Sequence, residues 1–221
     1  AAKTDAYTGA IGKGRLAAGP VVWSILDNAE GKDDLAALRA CRIAADLFGK
    51  SACVLVAVPR DRWPSLLGLA RTNGADQAFC LDTKGGALSS AGMLQVLRLI
   101  MEGTDSPMIV AGTAWSDAFG TTAGRYAVKQ PVQLASGITQ LQRNADGYLA
   151  VSIAAYAGKL ARQELIADGS AFLTMSGDAE LPVQNARESF TAMAVEMEVK
   201  PDWTAPLPPL VEPTLSAADV I

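Results

Sequence analysis

The sequence predicts an α/β fold, a parallel sheet with helices on both faces that is extended by antiparallel strands. Three observations predict it. Short apolar runs alternate with segments whose apolar residues recur at three- and four-residue steps, the pattern of βαβ units. The runs are near-continuously apolar, as strands covered on both faces have to be. After Pro131 the helical periodicity gives way to strand-like segments in close succession, separated by hairpin-type turns.

Residues 1–20 form a polar, Gly-rich arm that lacks the apolar stretch of a secretory signal. The first strand is VVWSIL (Val21 to Leu26), bounded by Gly19-Pro20 and Asp27-Asn28. Asp33 then caps a helix with Leu35, Leu38, Cys41, Ala45 and Phe48 on one face, and Gly49 ends it. SACVLVAV (Ser51 to Val58) is a second, β-branched strand. The chain turns over Pro59 to Pro64, and a helix starting at Trp63 runs to Asn73-Gly74. ADQAFCL (Ala75 to Leu81) is the third strand. Ser89 or Ser90 caps a helix whose wide apolar face, Met93 to Met101, suits packing between layers. PMIVAG (Pro107 to Gly112) is the fourth strand, and a fourth helix is expected from about Asp117 to Val128.

Beyond Pro131, QLASGITQLQ, GYLAVSIAAY, KLARQELIA and SAFLTM read as an antiparallel section. Asn144 to Gly147 and Ala167 to Gly169 supply its turns. The Pro-rich stretch 177–221 reads as an extended linker. The domain organisation is thus an arm over 1–20, a domain over 21–176 and a linker over 177–221.

Composition narrows the function. A net charge of −4 with no Lys/Arg run argues against a nucleic-acid surface. Apolar runs stop well short of the roughly 20 residues of a membrane span. The chain has no histidine, which removes Ser-His and Cys-His nucleophiles and His-ligated metals. Cys41, Cys53 and Cys80 are odd in number, widely spaced and set among apolar residues. They read as reduced core residues, and a cytoplasmic location is expected from that.

One candidate site remains. The loop AGTAWSDAFGTTAGRYA follows the fourth strand, and open α/β sheets bind ligands at such carboxyl ends. Gly112, Thr113, Ser116, Asp117, Gly120 and Thr121 are the residues that could cradle a phosphate through backbone N–H groups and hydroxyls. The spacing is neither a dinucleotide fingerprint nor a P-loop, and close helix packing explains Gly120 and Gly124 better. Asp27, Asp61, Asp76, Asp82 and Asp117 fall at strand ends without metal-ligand spacing. Trp23, Trp63, Trp115 and Trp203 are scattered and form no stacking platform. No catalytic residue and no metal ligand is nominated.

Four phrases, in this order, carry a family resemblance: VVWSIL…DDLAALRACRIAADLFGKSACVLVAV, LARTNGADQAFCLD, MIVAGTAWSDAFGTTAGRYAVK and YLAVSIAAYAGKLARQELIADGSAFLTM. Together they resemble the N-terminal domain of the electron transfer flavoprotein α subunit. The implied fold is a Rossmann-like three-layer parallel sheet, adenine-nucleotide alpha-hydrolase-like, extended by antiparallel strands. The implied role is a scaffold and partner-binding domain in an electron carrier that is not itself a catalyst. The heterodimeric partner would be an electron transfer flavoprotein β-type subunit, with a flavin dehydrogenase as electron donor.

LSAADVI resembles the approach to a Ser-Gly-Gly-Arg-Gly motif that opens the family's second domain, so FAD would be held mainly there and not by these residues alone. The chain departs from the family twice. Ser152-Ile153 stand where relatives carry an Arg before Tyr-Ala-Gly, and Thr174-Met175-Ser176 stand where relatives have Thr-Val-Arg.

Two other readings stay open: a stand-alone universal-stress-type module binding AMP or ATP through the Gly112 to Gly124 loop, and a structural subunit of a dehydrogenase complex. The segment from Gln133 to Met175 is the expected partner surface, pairing with a β-type subunit or with itself, and Leu149 and Ile153 are its expected outward positions.

Overall fold

A computed structural model of the chain describes residues 6–17, 19–27, 31–84, 86–102, 104, 108–112, 132–155, 160–197, 199–200 and 204–205. Among these the strands are β1 (Ile11–Gly14), β2 (Val21–Leu26), β3 (Ser51–Val58), β4 (Gln77–Asp82), β5 (Ala87–Leu88), β6 (Met108–Gly112), β7 (Gln133–Arg143), β8 (Leu149–Ala155), β9 (Leu160–Ile166), β10 (Ala171–Met175), β11 (Thr191–Val195) and β12 (Thr204–Ala205). The helices are α1 (Lys32–Phe48), α2 (Trp63–Thr72), which follows a 3-10 turn at Arg60–Arg62, and α3 (Ser90–Glu102). The expected fourth helix lies outside the described residues.

Ten strands make one sheet in the order β1-β11-β4-β3-β2-β6-β10-β7-β8-β9. Every pairing from β1 to β7 is parallel, and only β7–β8 and β8–β9 are antiparallel. The architecture is therefore α/β with a mostly parallel mixed sheet. A separate antiparallel pair joins β5 to β12.

Strand alternation splits the core across the sheet. Val21, Trp23 and Ile25 of β2 pack with Met93, Val96, Leu97 and Ile100 of α3. Val22 packs with α1, and Leu26 packs with both α1 and α2. Trp23 is fully buried, tilted against Phe79 at 5.4 Å between ring centroids, and its indole N–H donates to Thr104 Oγ1 at 3.4 Å. Burial of one such side chain stabilises the fold by about 1.5–3 kcal/mol.

The structure corrects four expectations. SAFLTM is not part of the antiparallel section: β10 lies between β6 and β7, parallel to both. Three strands come from stretches read as arm and linker: β1 from the arm, β11 and β12 from the linker. β11 inserts between β4 and β1, so 11–14 and 191–195 complete the parallel sheet. β1 and β11 are short and only partly buried, so they carry no alternation strong enough to be read. Asp33 is not the cap of α1. Gly31 holds that position without a side-chain hydrogen bond, and Asp33 sits in the first turn. Finally, Leu149 is fully buried and Ile153 half-buried, both against the cluster that contains α1.

That last point follows from a bend in β7. Gly137 has φ +70, a left-handed conformation that glycine adopts without a Cβ penalty. Register shifts flank it on both sides, and the Thr174 hydroxyl accepts the Gly137 N–H at 3.1 Å. The first half of β7 pairs with β10 and the second half with β8. The β8–β9 hairpin thus contributes Leu149, Val151 and Ile166 to the same core cluster as Ala36, Ala37, Ala40 and Ala44 of α1. An ion pair between Lys50 and Asp168 ties the connection from β9 to β10 to the chain just past the end of that helix. Ser89 does cap α3, its hydroxyl accepting the Gly92 N–H at 3.1 Å.

Candidate functional site

The chain leaves β2 toward β3 and β4 on one side of the sheet, and β6 lies on the other side of β2. The crevice between the carboxyl ends of β2 and β6 is therefore the switch point where an open α/β sheet receives its ligand. Asp27 follows β2, Gly112 ends β6, and the first turn of α1 fills the space between. An ordinary phosphate site would leave the N–H groups of that turn open.

Here, among the described residues, that turn presents carboxylates toward β6. A Cβ on Gly112 would lie 2.7 Å from Asp34 Oδ1 and 2.8 Å from Asp33 Oδ2, so a larger residue there requires these carboxylates to shift. From the other side, Gly177 after β10 sits against Lys32 and the Asp33 backbone, at 3.3 and 3.4 Å from its own ideal Cβ position. Asp34 is buried. Burial, then the charges of Asp33 and Asp27, push its carboxyl up to about 7, against the opposing hydrogen bond at Gly31. The site holds a proton near neutrality and repels anions. Among the described residues no group of three His, Cys, Asp or Glu side chains could hold a metal ion.

Of the phosphate-loop candidates, Gly112 is placed in this crevice, facing two aspartates. Thr113, Ser116, Asp117, Gly120 and Thr121 lie outside the described residues. The other strand-end aspartates do different things. Asp82 accepts the Lys84 N–H at 2.9 Å in a tight turn, and Asp61 lies in the 3-10 turn before α2.

Asp76 belongs to a clasp that the sequence did not reveal. Its Oδ2 accepts the Arg42 guanidinium at 2.6 Å and the Ala52 N–H at 2.8 Å. Arg42 also bonds Asp46 at 2.5 Å, and Arg187 approaches both aspartates at 3.5 Å. Burial opposes the Arg42 charge, but the bonds and charges of Asp76 and Asp46 outweigh it and raise its pKa. Gly74, at φ +87, packs on the Arg42 stem at the Gly-Ala-Asp turn. The i,i+4 spacing of Arg42 and Asp46 was the one legible signal.

The cysteines are free and buried. Burial pushes Cys53 and Cys80 up to about 12 and Cys41 higher still, and the Cys41 thiol donates to the Val22 carbonyl at 3.3 Å. None is a thiolate nucleophile near neutral pH. Trp23 and Trp63 are core residues, whereas Trp115 and Trp203 lie outside the described residues. At the first family departure, Ser152 is buried on β8; at the second, Thr174 is the partner of Gly137 and Ser176 Oγ accepts the Asp178 N–H at 3.3 Å.

A cleft of about 620 Å³ opens beside β1 and β11, where Arg60 lies over the Trp63 ring at 5.1 Å and Lys13 pairs with Glu196 at 2.9 Å. Its cations and carboxylates balance, so it favours no ligand charge. Among the described residues no helix is long and apolar enough to cross a membrane. No protein-family model matches the chain, and no curated protein matches it at a significant level.

Proposed function

We propose that this chain is a scaffold and partner-binding domain of an electron transfer flavoprotein α-type subunit, its sheet of the Rossmann-like kind. It supports electron transfer from a dehydrogenase through FAD held mainly elsewhere, with a β-type subunit as partner. The ordered phrases from Val21 to Met175 motivate the family. The observation that supports the scaffold role is the pair of carboxylates at the switch point. Asp33 and Asp34 occupy the space between Gly112 and the first turn of α1, so a nucleotide phosphate entering there meets carboxylates. The protein's part in flavin chemistry is then position and electrostatics.

The test is a flavin fluorescence titration of the purified chain, followed by co-purification with an electron transfer flavoprotein β-type subunit. The chain alone is expected to leave FAD fluorescence unchanged and to co-elute with the subunit. Stoichiometric quenching at micromolar FAD overturns the scaffold role. Failure to co-elute with any β-type subunit tried counts against the family.

A further inference from the structure

We propose that β9 is a self-association edge, and that its occupant is β9 of a second copy of this chain, paired antiparallel about a twofold axis through Gln163. The inference stands on the geometry of this edge and does not rest on the flavoprotein reading.

The two ends of the ten-stranded sheet differ in how they are protected. β1 has four residues, two of them glycine and one Lys13, whose ammonium is engaged by Glu196. Short length and an edge lysine are the usual defences of an edge strand. β9 has seven residues, LARQELI, with no proline, glycine or lysine. It pairs with β8 at all seven positions without a register break, so no bulge turns it away. Leu160 is 60% exposed and Leu165 53% exposed, and residues 160–163 are all open to solvent, with Glu164 half-buried and Ile166 buried. A regular bare edge of this kind offers its outward N–H and C=O groups to another strand. The Leu165 carbonyl accepts the Gln133 amide at 3.1 Å, which leaves its second lone pair free.

The charge pattern identifies the occupant. Arg162 and Glu164 flank Gln163 on one face and bond each other at 2.6 Å. In a twofold antiparallel pair centred on Gln163, Arg162 faces Glu164 of the second copy, and Glu164 faces its Arg162. Two intrastrand pairs merge into a ring of four alternating charges. Leu160 faces Ile166 of the second copy, and Ala161 faces its Leu165. The next twofold registers, centred on Arg162 or Glu164, set like charges opposite each other and are disfavoured. The strand is thus complementary to itself in one register. A contact of one strand edge buries less than the about 800 Å² per partner of a standard interface, so the dimer is weak and concentration-dependent.

Sedimentation velocity over a wide concentration range tests this on the wild-type chain, Arg162→Glu, Glu164→Arg and the doubly reversed chain. The wild type is expected to shift from monomer to dimer as concentration rises. Each single variant presents four like charges at the twofold and is expected to associate about tenfold more weakly or not at all. An equimolar mixture of the two single variants, and the doubly reversed chain alone, are expected to recover association. Circular dichroism and melting confirm the fold of each. Arg162→Glu changes an exposed side chain and carries the test if Glu164→Arg does not fold. A wild type that stays monomeric throughout overturns the proposal. So do single variants that dimerise like the wild type, or a doubly reversed chain that does not.

Discussion

β2 is buried at all six of its positions, whereas β9, in the same sheet, is buried only at Ile166. β2 has neighbours on both edges and helices on both faces; β9 has one neighbour among the described residues and joins the core only through Ile166. The difference shows how one sheet divides its work. The parallel centre is covered on both faces, while the antiparallel rim leaves most of β9 exposed.

The comparison breaks most readily at Leu149. It sits in the hairpin yet is fully buried, so Leu149→Glu is expected to destabilise by more than about 4 kcal/mol through an unpaired buried charge. Leu160→Glu on the next strand is expected to stay within about 0.5 kcal/mol of wild type. Urea midpoints of the two variants give the contrast directly. Equal effects would mean that the hairpin is not a one-sided layer.

The clasp at Arg42 joins α1 to the turn before β4. Arg42→Ala leaves Asp76 without its shortest bond, and a loss of about 2 kcal/mol is expected, because Arg42 is buried while its carboxylates are partly exposed. Thermal melting in low and high salt checks it. A change below about 0.5 kcal/mol would reduce the clasp to a surface ion pair.

Asp34 sharpens the central half of the comparison through pH. Its folded pKa, about 7, lies above its unfolded value, so the native state binds the extra proton between roughly pH 4 and 7. Stability from this group therefore falls as pH rises through that window and stays low above it. Asp34→Asn removes the titration. The variant is expected to gain on wild type from pH 4 to pH 7, reaching on the order of 4 kcal/mol at pH 8. Denaturant midpoints at each pH measure the gap, and a constant difference across the range would refute the acidic switch point.

The smallest effects are expected from Ser24 and from nucleotides. Ser24 Oγ is buried on β2 and has no hydrogen-bond partner among the described residues, so Ser24→Ala is expected to be neutral or stabilising by about 1 kcal/mol or less. ATP or AMP is expected to leave the melting temperature unchanged. A dose-dependent rise would reopen the universal-stress-type reading. Gly112→Val is a poor control for that experiment, because its side chain would collide with Asp33 and Asp34 in the absence of any ligand.

Much of the parallel body was legible because its strands are continuous apolar runs and its helices keep a 3.6-residue period, so burial is written into composition. VVWSIL, SACVLVAV and the Trp63 helix start were readable on that ground. The crevice was less legible. Asp33 looked like a cap, because a helix-start signal does not say which neighbouring backbone will close over it. Gly112 was one of several phosphate-loop candidates, and its nearness to Asp33 and Asp34 was not legible because it depends on how α1 docks on β6.

By itself the sequence determined the class of fold, the βαβ order, the buried free cysteines and the hairpin turn at Asn144, whereas the turn at Asp168 joins two strands that do not pair. These depend on local periodicity and on residue chemistry, which act over a few positions. The tertiary structure alone decided that β10 returns to the parallel sheet, that 11–14 and 191–195 meet beside β4, and that Arg42, Asp46, Asp76 and Arg187 converge. It also decided that Leu149 faces α1 while Leu160 faces solvent. Each joins residues far apart in the chain or turns on the bend at Gly137, and no local pattern encodes which distant edge a strand will fill.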